Sequence, residues 1–135
     1  MTPHHATRIA RVLAALAGTL DFFTGLGLVF APGWTLRAMG ASPVAPEALV
    51  FLRFVGAFVG AVGLVYLVAL LRRNPRDLRV MLGMTIIFRL AAGSYSATAV
   101  ACGWLEPVWL GVPATDFFLA VVQAWLLTKG AGRAE

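Results

Sequence analysis

The chain has 135 residues, of which 60% are hydrophobic and 13% are charged, and its mean hydropathy is +0.85. Soluble domains carry about a quarter charged residues, so this composition excludes an ordinary soluble protein and predicts a membrane protein. The formal net charge of +5 comes mostly from arginines beside apolar runs, so membrane topology explains it better than a nucleic-acid partner. The single cysteine, Cys102, excludes an intramolecular disulfide and a cysteine-based metal site.

Four apolar runs, covering residues 9–31, 49–71, 80–103 and 108–128, are each long enough to cross a bilayer. The first could be taken for a secretory signal, but it exceeds the usual apolar core of a signal and contains Asp21, so we expect a retained helix. A Pro/Gly-rich loop is expected over residues 31–47. Because the connections are short, the sequence predicts an all-α integral membrane four-helix bundle of sequential antiparallel helices, forming one transmembrane domain over residues 1–135.

Basic residues outside the runs are distributed unevenly. Only Arg37 lies on one side of the predicted bundle. Eight lie on the other: Arg8, Arg11, Arg72, Arg73, Arg76, Arg79, Lys129 and Arg133. Cytoplasmic segments of membrane proteins are enriched in Lys and Arg, so we predict a multi-pass protein of the bacterial cytoplasmic (inner) membrane with both termini cytoplasmic.

Four charged residues lie inside the runs, namely Asp21, Arg53, Arg89 and Asp116. A charge at the centre of a membrane helix costs roughly 2.5–3.5 kcal/mol, so each is expected to have a partner. Each shares its helix face with small or polar residues, as Asp116 does with Gln123 seven positions later. Small-residue faces are where membrane helices pack. We therefore expect all four charges to point into the bundle.

Depth along the helices suggests which charges pair. Asp21 and Arg89 each follow a boundary arginine by ten residues, about 15 Å at the usual helical rise, so they are expected to be level. Asp116 and Arg53 are both counted from the outer face, and a long arginine side chain can bridge a small difference in depth. The sequence therefore predicts an inner pair of Asp21 with Arg89 and an outer pair of Asp116 with Arg53.

These residues, with Gln123, form the candidate site, and three interpretations stay open. The pairs can be structural, fixing helix register while adding little net stability. They can instead line a polar cavity, in the outer half near Arg53 and Asp116, for a quinone-like or lipid-like ligand. They can also relay protons or ions. The cavity hypothesis includes an irregular first turn of the fourth helix after Pro113.

Several chemistries are set aside by counting. His4 and His5 are the only histidines and both lie in the N-terminal tail, so neither an intramembrane haem site nor a metal cluster is expected. The glycine run "GAFVGAVG" has the spacing of a helix-packing face, not of a nucleotide loop. We expect no cofactor and no enzyme, although an acid–base reaction on a lipophilic substrate stays open.

The order of features resembles that of the small four-helix bacterial membrane proteins grouped as DoxX-like, and of related families of unknown function. The first span ends in "FAPGW", the second carries "LRFVGAFVGAVGLVYLVAL" and the third carries "FRLAAG". The resemblance implies a four-helix bundle, often an accessory or quinone-associated membrane subunit, with no assigned activity for most members. It transfers no residue roles.

Two other functions stay open. A small exporter would also have four short helices and a carboxylate in the first, here Asp21, but two buried arginines would repel cationic substrates. An accessory subunit would dock into a larger membrane complex or associate with copies of itself. The partners expected from the sequence are membrane lipid, a quinone-like small molecule and other membrane proteins, with no nucleic acid.

The predicted orientation can be tested by cysteine labelling in intact cells. A cysteine introduced in the turn over residues 72–79 should stay unreactive toward an impermeant reagent added outside, because the turn faces the cytoplasm. The same cysteine should react after the membrane is permeabilised. Reaction in intact cells would overturn the orientation.

Overall fold

The computed structural model describes residues 1–133 and is all-α. Its helices are α1 (Pro3–Phe30), α2 (Pro32–Met39), α3 (Leu49–Leu71), α4 (Pro75–Ala101) and α5 (Gly111–Thr128). Short 3₁₀ turns at Pro46–Ala48 and Pro107–Leu110 lead into α3 and α5. The described residues contain no strand. The prediction of an all-α chain with four long apolar helices is confirmed.

Four of these helices, α1, α3, α4 and α5, are long and apolar enough to cross a membrane, α3 and α5 together with the 3₁₀ turns that precede them. Many of their bulky apolar side chains are exposed, including those of Phe23, Phe54, Ile87 and Val121. Large apolar patches of this kind are rare on soluble monomers, whereas lipid tails cover them at no cost. The chain is therefore a multi-pass membrane protein.

The helix limits follow from local signals. Both ends of α3 fall where the sequence predicts them, whereas α1 and α4 begin earlier, at Pro3 and Pro75. The start of α4 is capped by Asn74, whose side-chain oxygen accepts a hydrogen bond from the Arg76 backbone N–H at 3.0 Å. Proline suits the first helical turn because its missing N–H would have no partner there. Both helices therefore extend beyond their apolar runs into polar sequence.

The predicted loop over residues 31–47 is wrong for its first part, which forms α2. Pro32 occupies the first turn of this helix, and Gly40 ends it in the left-handed conformation at φ +77°. The N–H groups of Gly40 and Ala41 close the end on the carbonyls of Arg37 and Leu36, at 3.0 and 2.9 Å. Proline at the start and glycine just past the end are helix boundaries, so these residues delimit a helix within the predicted loop.

The described chain forms two compact units. One unit contains residues 14–68, which include most of α1, all of α2 and most of α3. The other contains residues 1–13 together with the chain from residue 69 onward, which includes α4 and α5. The single-domain assignment stays a prediction.

In the unit of residues 14–68, α1 and α3 run antiparallel and meet through glycines. A Cβ built on Gly18 would lie 2.7 Å from Tyr66 Cβ, and one built on Gly56 would lie 2.6 Å from Leu28 Cβ and 2.9 Å from the Gly25 carbonyl oxygen. Carbon atoms in real contacts do not approach so closely, so the two backbones leave no room for side chains. The prediction that the glycines of α3 form a packing face is confirmed.

In the other unit, α4 and α5 run antiparallel, and the segment after α5 folds back onto the helix ends. The Arg79 guanidinium donates hydrogen bonds to the carbonyls of Leu127 and Ala131 at 3.4 and 3.1 Å. The Gly132 N–H donates to Thr7 Oγ1 at 3.1 Å. A cation on the last carbonyls of a helix also complements the helix dipole. This arrangement, the C-terminal clasp, joins the end of α5 to the starts of α1 and α4.

The close approach of α1 and α3 predicts different effects for two glycine-to-alanine changes. Gly56→Ala should destabilise the protein by about 1–3 kcal/mol, because the new methyl group meets backbone on the facing helix. Gly83→Ala in α4 is the control, since nothing lies within 4 Å of a Cβ there, and alanine favours a helix by up to about 1 kcal/mol over glycine. Thermal unfolding in detergent should lower Tm for the first change only. Equal Tm values would contradict the glycine interface.

Candidate functional site

The centre of the α4–α5 pair is a buried ion pair. Arg89 Nη1 donates a hydrogen bond to Asp116 Oδ1 at 2.7 Å. The Arg89 side chain is 4% exposed and that of Asp116 is 13% exposed. The short distance is typical of a charge-assisted hydrogen bond. Two opposite charges thus neutralise each other between two apolar helices.

This contact corrects the predicted pairing of Asp116 with Arg53. The Pro75 end of α4 and the Thr128 end of α5 lie together, as the Arg79 bond to the Leu127 carbonyl shows. From those ends Arg89 is 14 residues along α4 and Asp116 is 12 residues along α5, which places them at about 21 and 18 Å. The prediction counted the depth of Arg89 from the cytoplasmic face and that of Asp116 from the outer face. Because the two depths had different origins, they did not show that the two residues are level.

Helical periodicity brings both charges to the interface. The buried residues of α4 include Leu82, Thr85, Arg89 and Gly93, spaced three to four apart. Residues at this spacing share one helix face. A Cβ on Gly93 would lie 3.3 Å from Asp116 Cβ and 3.0 Å from a ring carbon of Phe117. The absence of a side chain at Gly93 therefore lets α5 approach next to Arg89.

A second polar contact lies in the same interface, closer to the Pro75 end of α4. Thr85 Oγ1 is 3.5 Å from Gln123 Oε1 and 2.8 Å from the Met81 carbonyl oxygen. Gln123 is fully buried and Thr85 is 2% exposed. We call Thr85, Arg89, Asp116 and Gln123 the polar seam. Sequence reasoning included Gln123 but missed Thr85, although its position four residues before Arg89 was a usable signal.

The two oxygens of the Asp116 carboxylate differ in their surroundings. Oδ1 accepts the bond from Arg89, whereas Oδ2 accepts no hydrogen bond from the described residues. Among residues 1–133 every buried side-chain nitrogen or oxygen has a hydrogen-bond partner. Because Oδ2 has no such partner, it is not fully buried and is therefore accessible. The seam therefore combines a buried, neutralised charge with one open acceptor.

The other two predicted charges lie in the unit of residues 14–68. Asp21 is half-buried on α1, and its predicted pairing with Arg89 stays a prediction. Arg53 is exposed, so the expectation that it points into the bundle is wrong. It lies three residues before Gly56, which packs against Leu28, and is therefore level with the end of α1 at Phe30.

The start of α5 also differs from the prediction. The turn after Pro113 is regular α-helix, and the irregular part is the 3₁₀ turn at Pro107–Leu110 that precedes it. Pro113 is the third residue of α5, where a backbone N–H has no partner within the helix. The proline therefore breaks no hydrogen bond.

A metal centre is not formed by the part of the chain that the structure describes. Within it no three side chains of the His, Cys, Asp and Glu types are grouped so that they could hold an ion. Comparison with known proteins finds no matching family model, curated protein or solved structure. The resemblance to DoxX-like proteins stays a prediction from sequence pattern.

The ion pair predicts a strongly non-additive mutational cycle. Arg89→Met should destabilise the protein by about 3–5 kcal/mol, because it leaves the Asp116 carboxylate without its counter-ion. Asp116→Leu should act similarly on Arg89, and the double variant should recover a large part of the loss. Thermal unfolding in detergent measures all three.

The exposed pair of Arg72 and Asp77, 3.5 Å apart, provides the control for this cycle. Its removal should cost no more than about 1 kcal/mol, since solvent screens it. A double variant at positions 89 and 116 as unstable as the sum of its singles would show that the two charges do not stabilise each other.

Proposed function

We propose that this is a small protein of the bacterial inner membrane, with both termini cytoplasmic, whose polar seam binds the polar head of a lipophilic, quinone-like or lipid-like ligand. The observation that carries the proposal is the accessible Oδ2 of Asp116 beside the buried Arg89. An open carboxylate oxygen at the depth of a membrane helix is costly unless something donates a hydrogen bond to it.

A ligand hydroxyl supplies the required donor. A quinol O–H can donate to Asp116 Oδ2 while Arg89 holds Oδ1 in place, which fixes the carboxylate plane. The Phe117 ring lies against Gly93, next to the ion pair, and is 37% exposed. It offers a flat apolar surface for a ligand ring. A few polar groups surrounded by apolar surface are the usual composition of a small-molecule site.

The orientation is supported by the basic residues at one set of helix ends. Arg8, Arg11, Arg72, Arg73 and Arg76 are all exposed and therefore accessible to the aqueous phase or to lipid headgroups. Their number on one side favours a cytoplasmic location by the positive-inside rule.

A structural role in an accessory subunit is the second candidate. It is favoured by the direct contact of Arg89 with Asp116 and by the fully buried Gln123, because such contacts can fix helix register without a ligand. No observation on the described residues favours the exporter that uses Asp21.

Ligand binding can be tested with a short-chain quinol titrated into the purified protein, following tryptophan fluorescence. Asp116→Asn preserves side-chain volume and the carbonyl acceptor for Arg89, but it removes the carboxylate charge and replaces one oxygen with an amide donor. We expect binding to weaken about tenfold or more, as for loss of a charge-assisted hydrogen bond.

Thr115→Val on the exposed side of α5 is the matched control and should bind normally, because the Thr115 hydroxyl donates to the Gly111 carbonyl of its own helix. Solvent extraction of the native protein, followed by mass spectrometry, identifies any lipophilic molecule that co-purifies. If the wild type and Asp116→Asn bind the quinol equally and no lipophilic molecule co-purifies, the ligand site is contradicted and the structural role replaces it.

A further inference from the structure

Arg53 is an exposed charged residue in an apolar helix. It is the fifth residue of α3, so its Cα lies about 6 Å from the start of the helix along its axis. Among residues 1–133 its guanidinium forms no hydrogen bond or ion pair. None of the described residues therefore neutralises this charge.

The surface around Arg53 is apolar and combines aromatic with small residues. Phe54 and Phe58 are 62% and 56% exposed, and their ring centroids lie 4.8 Å apart at an interplanar angle of 68°. Ala57 and Ala61, one and two turns farther along the helix, are also exposed. The two rings form a ridge beside these small residues. Residues 53, 57 and 61 are spaced four apart and share one side of the helix, so a track of small exposed residues runs from Arg53 along α3.

We propose that Arg53 binds the phosphate of a membrane phospholipid, with one acyl chain lying along Ala57 and Ala61 beside the Phe54–Phe58 ridge. Guanidinium matches phosphate geometry through two parallel N–H···O bonds. The acyl chain contacts only apolar atoms along the track. The charged residue therefore lies next to the phosphate and the apolar track next to the acyl chain, in the same order as these groups occur in a phospholipid.

Depth favours a lipid over other anions. An arginine near the end of a membrane helix extends its apolar stem along the helix and places its charged group at the interface. Phospholipid phosphates lie at that level. The exposed phenylalanines require a hydrocarbon neighbour, which an inorganic anion does not provide. The site shares no residue with the polar seam, because it uses only residues of α3.

Native mass spectrometry of the full-length protein in detergent tests the proposal, with phosphatidylglycerol as the probe. The wild type should retain one more lipid than Arg53→Gln, whose affinity should be about tenfold lower. Arg37→Gln is the control for net charge, since Arg37 is also exposed but lies on α2, and it should retain the lipid. Arg53→Lys should bind with intermediate affinity, because lysine contacts phosphate as a point charge.

A second pair of variants tests the track without changing charge. Ala57→Phe fills the track and should displace the lipid, whereas Val55→Phe, on a different part of the exposed face of α3, should not. Diacylglycerol with the same acyl chains should not bind, and inorganic phosphate should not compete.

Equal lipid retention by Arg53→Gln and Arg37→Gln, or by the two phenylalanine variants, would overturn the proposal. So would a co-purifying protein whose loss follows Arg53→Gln while lipid retention stays unchanged. These results are independent of the quinol titration, because the two experiments use different residues and different ligands.

Discussion

The bond between Arg89 and Asp116 is the constraint around which α4 and α5 pack. A guanidinium in hydrocarbon cannot exchange its partner for water, so the helices must keep the carboxylate within hydrogen-bonding distance. The distance of 2.7 Å fixes the relative height of the two helices, and the contact between Thr85 and Gln123 repeats the same register farther along them. Their packing is therefore specified by polar contacts.

The α1–α3 pair is held together differently. Gly18, Gly25, Gly56 and Gly63 allow backbone-to-backbone approach, so dispersion forces act over a long, smooth surface. The glycines allow close contact but do little to fix the relative position of the two helices. An ion pair does fix it, at the cost of removing two charges from water. The chain uses both means, one in each unit.

The helices could be predicted from the sequence because length and apolar composition alone determine them. Their starts at Pro3 and Pro75 and the helix α2 were missed, since proline and glycine mark helix boundaries as well as loops. The candidate site was predicted less completely. Arg89, Asp116 and Gln123 were identified because ionisable and amide groups are conspicuous in apolar runs, but the partner of Asp116 was not. Which arginine pairs with Asp116 depends on which helices are neighbours and on depths measured from the same membrane face. Neither can be obtained from residue spacing along the sequence. Arg53 is exposed because it is level with the end of α1, and its spacing from the glycines of α3 does not reveal that position.

The C-terminal clasp has a consequence for the connectivity of the chain. Since the Gly132 N–H bonds Thr7 Oγ1 at 3.1 Å, a linker of a few residues from Arg133 to the start of α1 can close the chain without disturbing α1 or α5. The non-helical segment before Pro46 can then be opened at the exposed Pro43, because breaking an exposed part of a loop leaves the helices intact. The resulting circular permutant would run α3, α4, α5, α1, α2. Its new ends would lie between α2 and α3, near the opposite end of α1 from the clasp, so a fused protein could be displayed at either end of this helix.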